Sequence, residues 1–309
     1  MNKEDYEFFK ENGYLVLGKI LNAAELTRCL DLFDRNRCEE AHLWRYLGRD
    51  THQTANTDCL QTWREVDEIV RHRKILPIVA ELMGESLSLF EVSARHMDQH
   101  PDAVKIAQQW HRDVGHLEEH PLRLNYIQAM LYLTDVNEET HCFTISPEPA
   151  DGPILERDEQ LAKGGVEYLY GPAGTVILFN ASTLHTATVR TTVCERKTVQ
   201  TYYCHRDKTL GNLDMVIPAQ LWRDHPDPAA RAFYSPQGKT PPTHYRELRS
   251  THIAIDLLAD SHISDAQNRC PWNEADDTDE HRCIATNHSI CQHFRGIRRP
   301  DIVQCGYPA

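Results

Sequence analysis

Apolar positions recur at helical spacing over the first third of the chain and gather into short strand-like runs over the middle third. Tyr6-Glu7-Phe8-Phe9-Lys10-Glu11-Asn12 forms an amphipathic helical stripe that Gly13 stops, and Tyr14 to Leu17 then reads as a short strand. Asn22 is an N-cap for a second helix, in which Leu26, Cys29, Leu30 and Phe33 share a face between Ala23 and Phe33. A third helix is predicted from Val66 to Met83. From about Ser86 the texture changes to β-rich runs: Leu87 to Val92, Leu124 to Leu133, Gly174 to Phe179, Leu184 to Val189 and Lys197 to Tyr203. Helices followed by many short strands predict an all-β core, a sandwich or barrel, with a helical buttress. The expected organisation is a single domain: buttress over residues 1–85, β core over 86–205, and an extension over 206–309. In that extension the pattern decays into sequence such as Asp224-His225-Pro226-Asp227-Pro228, with Ala229 to Tyr234 as a short helix candidate.

Composition narrows the partners. A chain of 309 residues, 40% hydrophobic and 26% charged, can bury a substantial core. Its net charge of −13 repels a phosphate backbone and no Lys/Arg-rich run offsets it, so nucleic acid is not expected as a partner. No apolar stretch approaches the roughly 18 residues of a membrane span, and Met1-Asn2-Lys3-Glu4-Asp5 lacks a secretory core. The expectation is a soluble cytoplasmic protein, monomer or homodimer, without membrane association. Ten scattered cysteines with no Cys-x-x-Cys pair read as reduced thiols.

The chemistry lies in His and Asp spacing. Non-haem Fe(II) oxygenases hold iron with two imidazoles and one carboxylate on one face. Strand alternation lets His and Asp at i and i+2 supply two of these together. The sequence satisfies that spacing five times, at His96/Asp98, His100/Asp102, His111/Asp113, His205/Asp207 and His225/Asp227. Pro101 and Pro226 make two of them turn-like. The pair at 205 ends a strand beyond the best third-ligand candidate. The pair at 111 follows Trp110 and precedes a loop and a long strand, as a barrel-rim site would, and the pair at 96 is its competitor. The best candidate for the third ligand is His185, which enters a strand after the polar turn Asn180 to Thr183. Residues 191–195 read as a turn and Arg196 to Tyr203 as the returning strand of a hairpin, which would bring Arg196 near His185.

Trp110-His111-Arg112-Asp113, His185 about seventy residues on and Arg196 eleven further resemble the phytanoyl-CoA dioxygenase family over roughly residues 6 to 205. The opening Phe9 to Leu17 and the segment Tyr132 to Glu138 are similar to the family's as well. The resemblance implies a double-stranded β-helix, a jelly-roll, cupin-like barrel with helices on one side. It further implies an Fe(II)- and 2-oxoglutarate-dependent dioxygenase with O2 as second co-substrate, releasing succinate and CO2. His111, Asp113 and His185 would hold iron, and Arg196 would pair with the far carboxylate of 2-oxoglutarate through its planar fork. Arg190 and Lys197 are fallback partners. The chain departs from the pattern at Thr140-His141, where a Gly is usual, and at Glu148-Pro149-Ala150, where Gly-Ser-His is common. Ala187 stands where a small hydroxyl residue often helps bind 2-oxoglutarate, leaving Thr186 or Thr188 to compensate. Gln128 joins the expected co-substrate pocket from the strand that also carries Tyr126. A carboxylate at Asp113 argues against halogenation.

The expected substrate is a small polar metabolite, since an acidic chain without a basic cluster suits coenzyme A poorly. His116, Glu118, Glu119 and His120 are candidates for the pocket mouth. The competing reading is a catalytically silent jelly-roll that binds a small ligand, and a third is a cupin-like metalloenzyme that needs no 2-oxoglutarate. Cys270, Cys283, His288, Cys291, His293 and Cys305 fit no standard zinc spacing.

Overall fold

The computed structural model describes residues 1–47, 53–63, 65–84, 86–100, 108–206, 215, 217–235, 251–254, 272–278, 291, 293–299 and 302–305. The chain opens with α1 (Lys3–Asn12), which Asn2 caps by accepting from the Asp5 amide at 2.7 Å. Gly13 ends it at φ +76°, the left-handed conformation glycine tolerates best. After β1 (Tyr14–Lys19), α2 (Ala23–Glu39) starts on a capping box between Asn22 and Glu25. It runs past Phe33 because its next inward residue is polar: buried Asn36 donates to Thr62 Oγ1 at 2.8 Å and accepts from Asn56 Nδ2 at 2.9 Å.

Next come β2 (Arg45–Tyr46), β3 (Gln53–Asn56) and α3 (Cys59–Thr62). The helix expected from Val66 to Met83 is two helices, α4 (Val66–Val70) and α5 (Leu76–Met83). Pro77 explains the break, for it lacks an amide hydrogen and its ring would strike the carbonyl one turn earlier. It stands instead in the first turn of α5.

The core strands are β4 (Leu87–Met97), β5 (Tyr126–Tyr132), β6 (Cys142–Ile145), β7 (Glu167–Leu169), β8 (Thr175–Asn180), β9 (His185–Thr188) and β10 (Arg196–His205), with α6 (Arg157–Gly164) before β7. A seven-stranded antiparallel sheet runs β1-β8-β5-β10-β4-β3-β2 and faces a three-stranded sheet β7-β6-β9. Beyond the core lie α7 (Ala219–Trp222), α8 (Pro228–Tyr234), β11 (Thr251–Ala254), α9 (Trp272–Ala275), β12 (Phe294–Arg299) and β13 (Ile302–Cys305). The last strands form a small sheet, β11-β13-β12, that hydrophobic pattern alone did not reveal.

The large sheet is buried on both faces. One packs Val92, Leu131, Val176, Leu178 and Val199 against the helices through Phe9, Phe33, Val66 and Val79. The other packs Met130, Tyr132, Ile177 and Phe179 against Phe143, Ile145 and Leu169 of the small sheet. Two buried faces remove the usual apolar-polar alternation, which is why every residue of β8 is buried.

One expectation is corrected. The strands carrying His185 and Arg196 are not partners in a hairpin: β9 pairs with β6, whereas β10 lies between β5 and β4. The chain crosses from one sheet to the other between them. Arg196 stands on the face of β10 that looks toward the small sheet, and not in a ladder with His185.

Gly13 also braces the site, since its carbonyl accepts from the Asn180 amide at 2.8 Å and a Cβ there would run into Thr183. Gly18 has a similar φ of +69° but open space around it. Gly13→Ala is expected to lower stability by about 1–3 kcal/mol in urea unfolding, and by more than Gly18→Ala; equal losses would show that backbone conformation alone matters.

Candidate metal centre and active site

His111 and His185 form an antiparallel bridge, each amide donating to the other's carbonyl at 3.0 Å. Two residues on, the Asp113 amide donates to the Ala181 carbonyl at 2.9 Å. The His-x-Asp segment thus extends the small sheet beyond β9. His111 Nε2 lies 3.2 Å from Asp113 Oδ1, and His185 Nε2 lies 3.6 Å from Oδ2. Two cis ligands that each bind a cation at about 2.1 Å sit about 3 Å apart, so little movement is needed to close on an ion. Among the described residues this is the one group of three metal-ligating side chains, with ligand atoms within 4.8 Å of one another.

The imidazoles are oriented by their far nitrogens. His111 Nδ1 donates to the Gln109 carbonyl and His185 Nδ1 to the Thr183 carbonyl, both at 2.8 Å. A carbonyl can only accept, so this bonding assigns the proton to Nδ1 and leaves the Nε2 lone pair for a metal. Charge states agree for Asp113 and His185, whereas His111 is drawn toward the form with a proton on Nε2 that a metal would displace. Burial opposes ionisation of Asp113, but the His111 hydrogen bond, the charge of His185 and the Tyr202 hydroxyl outweigh it and hold the carboxyl at about 2. Burial, including contacts with Phe143 and Phe179, pushes His185 down to about 4. The Asp113 hydrogen bond raises His111.

Tyr202 was missed by sequence reasoning. Its hydroxyl donates to Asp113 Oδ2 at 2.8 Å, fixing the carboxylate from the opposite sheet. Strand parity could have found it, since Arg196, Thr198, Gln200 and Tyr202 fall on one face of β10. Arg196 is only 2% exposed, and its Nε and Nη1 have no hydrogen-bond partner. Burial lowers its pKa below the ordinary guanidinium value. A buried guanidinium with two such donors is costly unless a ligand supplies acceptors. The fallback cations are already engaged. Arg190 donates to the Thr140 and Asn137 carbonyls, and Lys197 on the outer face bridges Asp34 and Glu195.

Gln128 lies across β5 from Tyr202 on the site-facing surface and donates to Gln200 Oε1 at 2.7 Å. Thr186 is not brought to the site, since alternation along β9 turns it and Thr188 to the side opposite His185, where Thr188 meets Thr144. His120 is structural, accepting from the Leu122 amide at 3.0 Å. Glu118 approaches Arg123 at 3.4 Å.

Two of the competing His-x-Asp pairs, at 96 and 225, are accounted for locally. His96 points to the outer face with Lys197 and bonds Glu195 at 2.6 Å. His225 accepts from the Asp227 amide within a turn. Asp102 and Asp207 lie outside the described residues, as do Cys270, Cys283 and His288; Cys291, His293 and Cys305 are buried.

Glu148 ties the two ligand segments together. One of its oxygens accepts from the Leu184 amide at 2.9 Å and the other from Arg112 Nη2 at 2.6 Å. Glu148 opens the segment Glu148-Pro149-Ala150, which departs from the family's common Gly-Ser-His, and here that departure supplies the brace. Glu148→Leu leaves Arg112 as a poorly compensated, largely buried cation. It is expected to cost about 2–4 kcal/mol in urea unfolding and to weaken metal binding, with no change in either measurement counting against the brace.

Residues 9–198 match the model of the phytanoyl-CoA dioxygenase (PhyH) family. No curated protein matches by sequence. Among solved structures, the epimerase SnoN in complex with Fe3+, α-ketoglutarate and nogalamycin RO superposes with TM-score 0.59 at 18% identity, over 78% of this chain and 96% of that one. HygX from Streptomyces hygroscopicus, with nickel, 2-oxoglutarate and hygromycin B bound, gives 0.55 at 14% identity over 77% and 97%. EctD from S. alaskensis with bound Fe gives 0.56 at 16% identity over 77% and 88%. The fold is thus the jelly-roll of these enzymes, and the match over most of the core shows that the chain belongs to the phytanoyl-CoA dioxygenase family of iron- and 2-oxoglutarate-dependent oxygenases.

Proposed function

We propose that His111, Asp113 and His185 hold Fe(II), that Arg196 pairs with the far carboxylate of 2-oxoglutarate, and that the enzyme oxidises a small polar metabolite in the cytoplasm. The observation that carries this reading is the buried guanidinium of Arg196, with Nε and Nη1 lacking acceptors, on the β10 face that also reaches Asp113. Each of these donors forms a planar fork with Nη2, so one carboxylate held bidentately would satisfy Nε or Nη1 together with it. When bound, iron with 2-oxoglutarate and O2 supplies the oxidant that takes hydrogen from the substrate, releasing succinate and CO2.

The chain's own residues supply position and charge. The Gln109 and Thr183 carbonyls lock both imidazoles with Nε2 toward the ion, and Tyr202 keeps Asp113 anionic and aimed. Arg196 and the Gln128–Gln200 pair line the chamber wall. Half-buried Phe90 and Tyr126, with ring centroids 4.1 Å apart, form an apolar wall beside Tyr202 that limits water. HygX and SnoN, which share this fold, carry small molecules, hygromycin B and nogalamycin RO, which supports a small-molecule substrate here. No helix among the described residues is long and apolar enough to cross a membrane.

Anaerobic titration with Fe(II) and then 2-oxoglutarate should produce the weak visible charge-transfer band of the chelate. His111→Ala and Asp113→Ala should abolish iron binding while Asp98→Ala retains it. Arg196→Gln should keep iron but weaken 2-oxoglutarate roughly 30-fold or more. Gln128→Ala should weaken it less, and Thr186→Val should leave it unchanged. Iron binding that survives loss of Asp113 would refute the ligand assignment, and an unaltered 2-oxoglutarate affinity in Arg196→Gln would refute the role of the arginine.

A further inference from the structure

One residue of β4 breaks the alternation that governs the rest of that strand. Leu87 and Leu89 pack toward the helices, and so do Val92 and Ala94, so the outward spacing steps from two to three across Phe90 and Glu91. The register with β10 gives the cause. Tyr202 lies opposite Glu91 and Tyr203 opposite Leu89, which leaves Phe90 as the extra residue of a β-bulge. A bulge re-aims a side chain locally and is frequent beside active sites.

Ring contacts show where Phe90 is aimed. Its centroid lies 4.1 Å from that of Tyr126 and 6.2 Å from that of Tyr202. Tyr126 shares one face of β5 with Met130 and Tyr132, which pack toward the small sheet. Tyr202 looks into the same interior, where its hydroxyl donates to Asp113 Oδ2 at 2.8 Å. The three rings therefore make one continuous aromatic surface that begins at a proposed metal ligand.

Backbone pairing brings the far end of that surface close as well. The Tyr126 carbonyl accepts from the Ala181 amide at 3.1 Å, and the Ala181 carbonyl accepts from the Asp113 amide at 2.9 Å. Tyr126 and Asp113 thus flank Ala181, two strand spacings or roughly 10 Å apart. The co-substrate does not need these rings, since Arg196 stands at the other end of the inward row of β10. Phe90 and Tyr126 are half-buried, whereas the inward rings of Tyr132 and Phe179 are fully buried. Their remaining apolar area is what a ligand gains by covering.

The form of the surface selects the ligand. A cation is held best when rings stand around it, but Phe90 and Tyr126 lie against each other at 4.1 Å with a tilt of 38° and enclose no space between them. A further ring set against them at a centroid distance of about 4.5–7 Å gains more than its buried area alone provides. We infer that Phe90 and Tyr126 determine substrate specificity by receiving an aromatic ring of the substrate beside Asp113. This rests on the iron and 2-oxoglutarate assignment above and gives the metabolite proposed there an aromatic part.

The test uses the full chain loaded anaerobically with Fe(II) and 2-oxoglutarate, reading the shift of the charge-transfer band as a ligand enters. The probes are phenylalanine, tyrosine, tryptophan and 2-phenylethanol, with cyclohexylalanine and 2-cyclohexylethanol as saturated counterparts. At least one aromatic probe should shift the band and bind about 5-fold or more tightly than the saturated counterparts. Phe90→Leu and Tyr126→Leu, which keep apolar bulk without a ring, should each remove that preference while keeping iron and the 2-oxoglutarate band, which serves as the control for folding. Phe90→Tyr should retain the preference. A band that no aromatic probe shifts, equal binding of the saturated probes, or a preference that survives both leucine substitutions overturns the inference alone. Loss of the 2-oxoglutarate band in the leucine variants overturns it by assigning the rings to the co-substrate. Absence of the band in the unaltered protein overturns the iron and 2-oxoglutarate assignment, and this inference with it.

Discussion

The two reciprocal hydrogen bonds between the His111 and His185 backbones set the register on which the site depends. A slip of one residue would turn one imidazole out of the chamber, because strand neighbours face opposite sides. With the register held, Asp113 follows on the same side as His111 and meets both Nε2 atoms. The bridge is short and lies at the end of the small sheet, so it needs support from elsewhere. Glu148 supplies part of it by joining Arg112 to the Leu184 amide, and Gly13 supplies more by holding the turn that precedes His185.

Buried charge gives the site its chemical character. Asp113 is ionised at a partly buried position because hydrogen bonds from His111 and the Tyr202 phenol oppose the cost of desolvation. His185 is neutral because nothing of comparable strength opposes its burial. Arg196 has no protein carboxylate at its Nε or Nη1, which is the arrangement that remains when a partner is brought by a ligand. The three groups thus favour an ionised carboxylate, a neutral imidazole and a waiting cation before any metal binds.

The helices matter to this chemistry indirectly. By covering the outer face of the large sheet they fix the strands whose inner faces form the chamber wall. The C-terminal segment adds to the buttress, since Tyr234 donates to Asp67 at 2.6 Å and Ser88 to the Phe233 carbonyl at 2.9 Å. Both contacts join elements more than a hundred residues apart, and local pattern carries no information about such pairings.

Local physics made much of the protein legible. Periodicity and capping located α1, the start of α2 and the strands β1, β4, β5, β8, β9 and β10, because these depend on residues within a few positions of one another. The residues proposed for iron and 2-oxoglutarate were reached through the resemblance carried by Trp110, His111, Asp113, His185 and Arg196, since His-x-Asp spacing occurs five times. The short strands β2, β3, β6 and β7 escaped because a few residues cannot establish a period. Only the tertiary structure decided which faces meet. It placed His185 and Arg196 on opposing sheets instead of in one hairpin, turned His96 outward, brought the Tyr202 hydroxyl to Asp113 and set Glu148 behind the segments that carry the cluster. Sequence spacing specifies which side of a strand a residue occupies; what lies across the chamber depends on how the two sheets pack.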